Sequence, residues 1–236
     1  MNNYKKIGII GGQGPASTIA FYDLIVKYFQ DNFGARHVAD YPPMIIYSVP
    51  TPSLVEGVEN EEKTFYLIAD AIYGLEREGA DFVIITCISL QYFIEKLQPL
   101  VKIPIIPITP ILAEYAKNRR YKTLGILATE ATLEKKVCHT LFEKEKINLI
   151  RPKKSDQNEV GEVILDVIGG RITLRDSEIV KKVIGNLQKN GAEAILLACT
   201  ELPLVLKQSD VYIPLINCNE LYPKAVAEYA CGRIRL

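Results

Sequence analysis

Two kinds of hydrophobic pattern alternate along the chain. Short runs that are apolar at nearly every position alternate with longer stretches in which apolar residues return every three or four positions. IGIIG (7–11) predicts a strand and TIAFYDLIVKYFQ (18–30) a helix. MIIYSV (44–49) predicts a second strand, and 61–78 a long amphipathic helix with Gly79 as its C-terminal cap. FVIIT (82–86), a helix over 91–97 and the strand IPIIPI (103–108) follow. The order then recurs: strand LGILAT (124–129), helix 132–144, strand 148–151, helices 159–167 and 176–190, strands AILLA (194–198) and IPLIN (213–217), and a closing helix through LYPKAVAEYACGRI (221–234). Strands alternating with helices imply parallel sheets covered on both faces, and runs that are apolar throughout fit that burial.

Three segments repeat in the same order. KKIGII (5–10) is similar to KTLGIL (122–127), GADFVIITC (79–87) to GAEAILLAC (191–199), and IPIIPITP (103–110) to IPLINCNE (213–220), at offsets of 117, 112 and 110 residues. The matches include Gly, Ala and Cys as well as generic apolar residues. The expected fold class is therefore α/β, with two pseudo-symmetric Rossmann-like domains, each a parallel sheet flanked by helices. The first is expected to comprise 1–113 with 213–236 and to carry Cys87; the second is 114–212 and carries Cys199. Open α/β sheets bind ligands beyond the C-terminal ends of their strands. The duplication thus predicts an active site in a cleft between the domains, with Cys87 and Cys199 on opposite sides of it.

Composition narrows the function classes. Of 236 residues 48% are apolar and 24% charged, with 28 Lys+Arg against 28 Asp+Glu. This balance argues against a nucleic-acid partner or an anionic membrane surface. No apolar run reaches the length of a membrane span, and MNNYKK leads directly into IGII, so no signal peptide is expected. Five cysteines without framework spacing favour a reducing compartment, hence the cytoplasm. His37 and His139 are the two histidines and no C-x-x-C occurs, so neither a His-based triad nor a metal site is expected.

Two features carry candidate chemistry. In GGQGPAST (11–18) the glycines permit close backbone approach, Pro15 suits a first helical turn, and the amides of Gly12, Gln13 and Gly14 suit a small anion at the helix start. A dinucleotide fingerprint fits poorly: Ser17 replaces the third Gly, and no acid follows the strand MIIYSVP. Tight turn packing is the alternative. The second feature is the pair of strand-end thiols. A helix starting just after each cysteine would favour thiolate through its dipole, and the hydroxyls of Ser89 and Thr200 suit a bound carboxylate. A lone cysteine is often simply buried; Cys138 and Cys231, within amphipathic helices, are read as packing residues, while Cys218 follows the last strand and remains open. A Cys87–Cys199 disulfide is disfavoured, since a ligand cavity holds facing thiols too far apart.

Through GGQGPAST, DYPPMIIYSVPTP (40–52), Cys87 at its strand end and ACTELPL (198–204), the chain resembles the aspartate/glutamate racemase family over essentially its whole length. It is most like the broad-specificity amino-acid racemases of that family. The resemblance implies an amino-acid isomerase that works as a homodimer without pyridoxal phosphate or another cofactor. By position it makes Cys87 and Cys199 the catalytic cysteines: one thiolate removes the α-proton, and the opposite thiol returns one. Donors aimed at the substrate carboxylate stabilise the carbanion. The expected ones are Gly12, Gln13 (amide and side chain), Gly14, Ser48, Ser89, Thr129, Thr132 and Thr200. Three departures bear on the substrate. The family's Cys-Asn-Thr-Ala-His is here Cys87, Ile88, Ser89, Leu90, Gln91; the Arg expected shortly after the second strand is missing from PSLVEGV (52–58); and Ile168 stands where some members have Lys, with Arg171 close by. A neutral or larger amino acid is therefore expected over aspartate, whose second carboxylate calls for an Arg. The alternatives are a related small-acid isomerase or decarboxylase and a catalytically weak amino-acid or carboxylate-binding protein.

Overall fold

A computed structural model describes residues 4–57 and 59–235, so the ends of the first expected domain (1–3 and 236) and Val58 lie outside the described residues. The elements run β1 (Ile7–Gly11), α1 (Pro15–Phe33), β2 (Met44–Ser48), α2 (Glu61–Arg77), β3 (Phe82–Ile85), α3 (Ile94–Leu97), β4 (Ile105–Ile106), α4 (Thr109–Asn118) and β5 (Thr123–Ala128). Then come α5 (Glu130–Glu134), α6 (His139–Lys144), β6 (Asn148–Ile150), α7 (Lys154–Ile168), α8 (Leu174–Lys189), β7 (Ala194–Ala198), β8 (Leu215–Asn217) and α9 (Cys218–Ala230). One sheet has the order β2-β1-β3-β4 and the other β6-β5-β7-β8, parallel throughout. The same order in both halves is the α/β duplication expected from the repeats. The inner strands β1, β3, β5 and β7 are buried almost throughout, whereas edge strand β2 leaves Ile46 43% and Tyr47 42% exposed.

The repeat extends to individual contacts. Gly8 of β1 and Gly125 of β5 each lie beneath a leucine of the helix that precedes the cysteine strand. A Cβ on Gly8 would sit 3.1 Å from Leu75 Cδ1, and one on Gly125 would sit 2.9 Å from Leu187 Cδ1 and 2.8 Å from Ile195 Cδ1. Side-chain amides tie the last strands: Gln98 donates to Ile103 O and accepts from Ile105 N–H, while Gln208 donates to Ile213 O and accepts from Leu215 N–H. An acid closes each start. Asp81 Oδ2 accepts from Lys6 N–H, and Glu193 Oε2 accepts from the N–H groups of Lys122 and Thr123.

Three expectations change. The helix expected over 132–144 is two helices, because Lys136 turns left-handed (φ 51°) and the N–H groups of Lys136 and Val137 bond back to Leu133 O and Thr132 O. This is a Schellman ending with lysine in the place usually held by glycine. The helix expected over 91–97 is a 3₁₀ run, Ile88–Phe93, that passes into the single turn α3. The division of the chain also moves. One compact unit is Met1–Pro52, Asn60–Pro107 and Asn219–Leu236; the other is Ser53–Glu59 and Ile108–Cys218. Residues 213–218 join the second unit because β8 pairs with β7. Ser53–Glu59 joins it because Glu130 N–H donates to Val55 O and Val55 lies in the apolar core there. Residues 108–113 follow α4, whose Lys117 pairs with Glu145 after α6.

Candidate active site

In the first unit β1 and β3 are neighbours with Ile10 level with Ile85, so the Gly-rich turn and the Cys87 segment leave the sheet side by side. Thr86 fastens them, donating from both N–H and Oγ1 to Ile10 O (3.0 and 3.2 Å). Ser48 ends β2 level with Gly11 and is exposed. Gly12 has φ +97°, and a Cβ there would lie 2.8 Å from Ser48 Oγ and from Val49 N, so glycine is required by both conformation and space. The Gln13–Gly14 peptide is cis. Cys87 is buried and caps the 3₁₀ run that contains buried Ile88 and Ser89.

The turn uses some of the donors expected to face a ligand. Gly12 N–H donates to Thr18 Oγ1 (3.0 Å), and Gln13 Nε2 donates to Gly11 O (2.9 Å) and Val49 O (2.8 Å). Both protons of the Gln13 amide are thus engaged, one within the turn and one on the segment that follows β2. Gln13 Oε1 is buried without a hydrogen bond. Gly12 N–H and the Gln13 side-chain amide thus serve the local hydrogen bonds of this corner of the sheet. The backbone N–H groups of Gln13 and Gly14 keep the expectation of facing a ligand.

In the second unit Ala128 of β5 is level with Ala198 of β7, and the next residues are Thr129 and Cys199. Thr129 stands just after β5, where the Gly-rich turn stands after β1. Its Oγ1 caps α5, accepting from Thr132 N–H (3.2 Å) and lying 3.1 Å from Thr132 Oγ1. Cys199 is 5% exposed and its Sγ–H donates to Glu201 Oε2 at 3.1 Å. Thr200 Oγ1 donates to the same oxygen at 3.1 Å. Glu201 is 4% exposed, and its Oε1 is buried without a hydrogen-bond partner. Sequence reasoning gave Glu201 no role. An acid after a strand end is ordinarily solvated; its signals were its place two residues beyond a strand-end cysteine and within the ACTELPL segment.

The expected helix dipoles are largely missing. Cys87 is followed by a 3₁₀ run, and Cys199 by a turn and the three-residue 3₁₀ helix Leu202–Leu204. Neither presents the aligned peptides of a long α-helix. At Cys199 the adjacent carboxylate acts in the opposite sense, favouring the thiol. Glu130, which opens α5, is held by Arg151 (3.1 Å) and Lys154 (3.5 Å). It lines a cavity of about 260 Å³ with Glu56, Glu162, Gln157 and Lys154.

The remaining cysteines fit packing roles. Cys138 is fully buried, and burial pushes its thiol up to about 12. Cys231, just beyond α9 and partly exposed, is also raised, chiefly by burial. Cys218 is buried at the first position of α9. No disulfide joins any of the five cysteines. Ile168, at the end of α7, is 41% exposed, and Arg171 pairs with Asp166 (3.2 Å). Among the described residues no three His, Cys, Asp or Glu side chains form a metal-holding group, and no helix is long and apolar enough to cross a membrane.

Two parallel α/β units of the same strand order, each with a buried thiol where its third strand ends, define a duplicated α/β protein. The Asp/Glu/hydantoin racemase family matches residues 10–224, and the chain belongs to that family. It is 27% identical to the broad specificity amino-acid racemase RacX of Bacillus subtilis, over 93% of this chain and 95% of the relative. Among solved structures it is similar to the Picrophilus torridus aspartate racemase, with TM-score 0.83 and 26% identity over 97% of this chain and 94% of that one. It is also similar to an aspartate racemase homologue from Pyrococcus horikoshii, with TM-score 0.78 and 27% identity over 96% and 99%.

Proposed function

We propose that this racemase-family isomerase of amino acids uses Cys87 and Cys199 as opposed acid and base on one α-carbon. The observation that carries the reading is the equivalence of the two thiols: each stands just beyond the third strand of its sheet, beside the turn that ends the first. One thiolate takes the α-proton, the bonding pair stays on carbon, and the other thiol protonates the opposite face. The roles exchange when the other enantiomer binds. No cofactor takes part in this reading, so charge building on the carboxylate must meet directed donors. Those proposed are the N–H groups of Gln13 and Gly14 and the hydroxyls of Ser48, Ser89, Thr129, Thr132 and Thr200. The homodimer implied by the family resemblance and the cytoplasmic location read from the cysteine spacing belong to the same proposal; sedimentation velocity tests the first.

A neutral or larger amino acid is the proposed substrate. The 53–59 segment contributes Glu56 rather than a cation, and the cavity it lines carries Glu56, Glu130 and Glu162 against Lys154. A side-chain carboxylate there would gain little and meet like charge. The test is exchange of the α-proton for solvent deuterium across a panel of L- and D-amino acids. The wild-type protein exchanges and racemises at least one, aspartate is a poor substrate, and Cys87→Ala and Cys199→Ala each lower racemisation by about two to four orders of magnitude. Full racemisation by either variant overturns the reading. Buried Ile88, where the family has Asn, favours a second reading, an amino-acid or carboxylate-binding protein with little turnover. Tight binding with no exchange at any pH would select it.

A further inference from the structure

We propose that Glu201 is a positioning residue that holds the proton on the Cys199 sulfur, so that Cys199 enters the reaction as the acid. The proposal deepens the two-thiol reading and rests on it for its catalytic meaning. Its physical basis is a buried pair: Sγ lies 3.1 Å from Glu201 Oε2, with Cys199 5% and Glu201 4% exposed. Ionising the thiol there would set two negative charges 3.1 Å apart in a poorly solvated place. With the proton on sulfur, the same contact is a hydrogen bond to a charged acceptor. Thr200 Oγ1 donates to the same carboxylate oxygen and keeps it an acceptor aimed at sulfur.

Little nearby in the second unit offsets the carboxylate. Among the described residues no Lys, Arg or His pairs with Glu201. The apolar side chains packed in the cluster that contains Cys199 include Leu127 from β5, Val160, Val163 and Ile164 from α7 and Val180 from α8. On the neighbouring turn after β5 the charged groups are Glu130 and its partners Arg151 and Lys154. In the forward step the substrate Cα–H bond breaks, its pair stays on carbon and its proton goes to the Cys87 thiolate. Cys199 Sγ–H then supplies the proton to the opposite face. This leaves a Cys199 thiolate beside Glu201, the less favourable state, poised to take a proton from the other enantiomer.

The experiment measures the alkylation of each thiol by iodoacetamide as a function of pH, quantified on separate peptides. The midpoint of the pH profile reports protonation independently of accessibility. In the wild-type protein the Cys199 midpoint is expected above the ordinary thiol value of about 8.5. In Glu201→Gln, which keeps the shape and removes the charge, it is expected lower by about one pH unit or more, with the Cys87 midpoint unchanged. At neutral pH that is about a tenfold faster reaction of Cys199. An unmoved or raised Cys199 midpoint in the variant overturns the proposal. If the variant does not fold, the wild-type protein decides, since a midpoint at or below about 8.5 overturns it equally. Cys199→Ala assayed for racemisation keeps the two claims apart: an active variant sinks the two-thiol reading, while the alkylation midpoint still settles what Glu201 does to sulfur.

Discussion

Gln98 ties Ile103 to Ile105 in the half that carries Cys87, and Gln208 ties Ile213 to Leu215 in the half that carries Cys199. Past the cysteine the halves part: Ile88 and Ser89 follow in one, Thr200 and Glu201 in the other. The same contrast runs through both units. Gly8 and Gly125, Leu75 and Leu187, Gly79 and Gly191 match; the first two pairs pack a helix on a parallel sheet and the third ends that helix with a positive φ. Past the strand ends little matches. A Gly-rich turn follows β1 where a Thr-capped helix follows β5, and Ile88 stands where Thr200 does. The scaffold was kept to the level of single hydrogen bonds while the polar surroundings of the two thiols diverged. Racemisation by the proposed route has a use for that combination, because equivalent sulfurs must hold opposite protonation states when a substrate enantiomer binds.

The comparison can be broken at several levels. The largest effect belongs to the thiols. Cys87→Ser and Cys199→Ser should both lower racemisation by about two to four orders of magnitude, and a fall in only one of them would end the functional equivalence of the halves. Next come the glycines under the helix leucines. An added Cβ meets atoms at 2.8 Å at Gly125 and at 3.1 Å at Gly8. Both alanine variants should lose about 1–3 kcal/mol in urea unfolding, Gly125→Ala more than Gly8→Ala. The reverse order would show that the two sheets do not pack their helices alike. The glutamines follow: Gln208→Ala removes three hydrogen bonds and Gln98→Ala two. Both should cost about 1–2 kcal/mol, Gln208→Ala the more.

What could be read in the sequence follows the same division. Strands and the duplication were legible because buried parallel strands need unbroken apolar runs. Helices ending at Gly79 and Gly191 were legible because glycine advertises the left-handed residue of a Schellman ending. Endings at Arg120, Lys136 and Lys146 adopt the same backbone without glycine, so the break between α5 and α6 left no trace in the pattern. The candidate thiols were legible from their place in a repeated run. That Gly12 and Gln13 would bond within their own turn, and that Glu201 would fold inward onto Cys199, depends on three-dimensional neighbours that no local pattern encodes.

The smallest expected effect tests the acids that close the start of each sheet. Glu193 Oε2 accepts two backbone N–H bonds, from Lys122 and Thr123, whereas Asp81 Oδ2 accepts one, from Lys6. The Lys122 bond first, and then the Thr123 bond, hold the Glu193 carboxyl below its ordinary value, and the slight burial of the group opposes them. A carboxyl lowered on folding stabilises the folded state above its unfolded value of about 4.3, and loses that contribution as pH falls through the folded value. The side chain is largely exposed, so solvent screening keeps the contribution under about 1 kcal/mol. Glu193→Gln should therefore be slightly less stable than wild type at neutral pH, and the two should converge as pH drops below about 4. Urea midpoints taken from pH 7 to about pH 3 give the comparison. Curves that stay parallel throughout would mean that the Glu193 charge contributes nothing to folding, and that its two backbone bonds serve geometry alone.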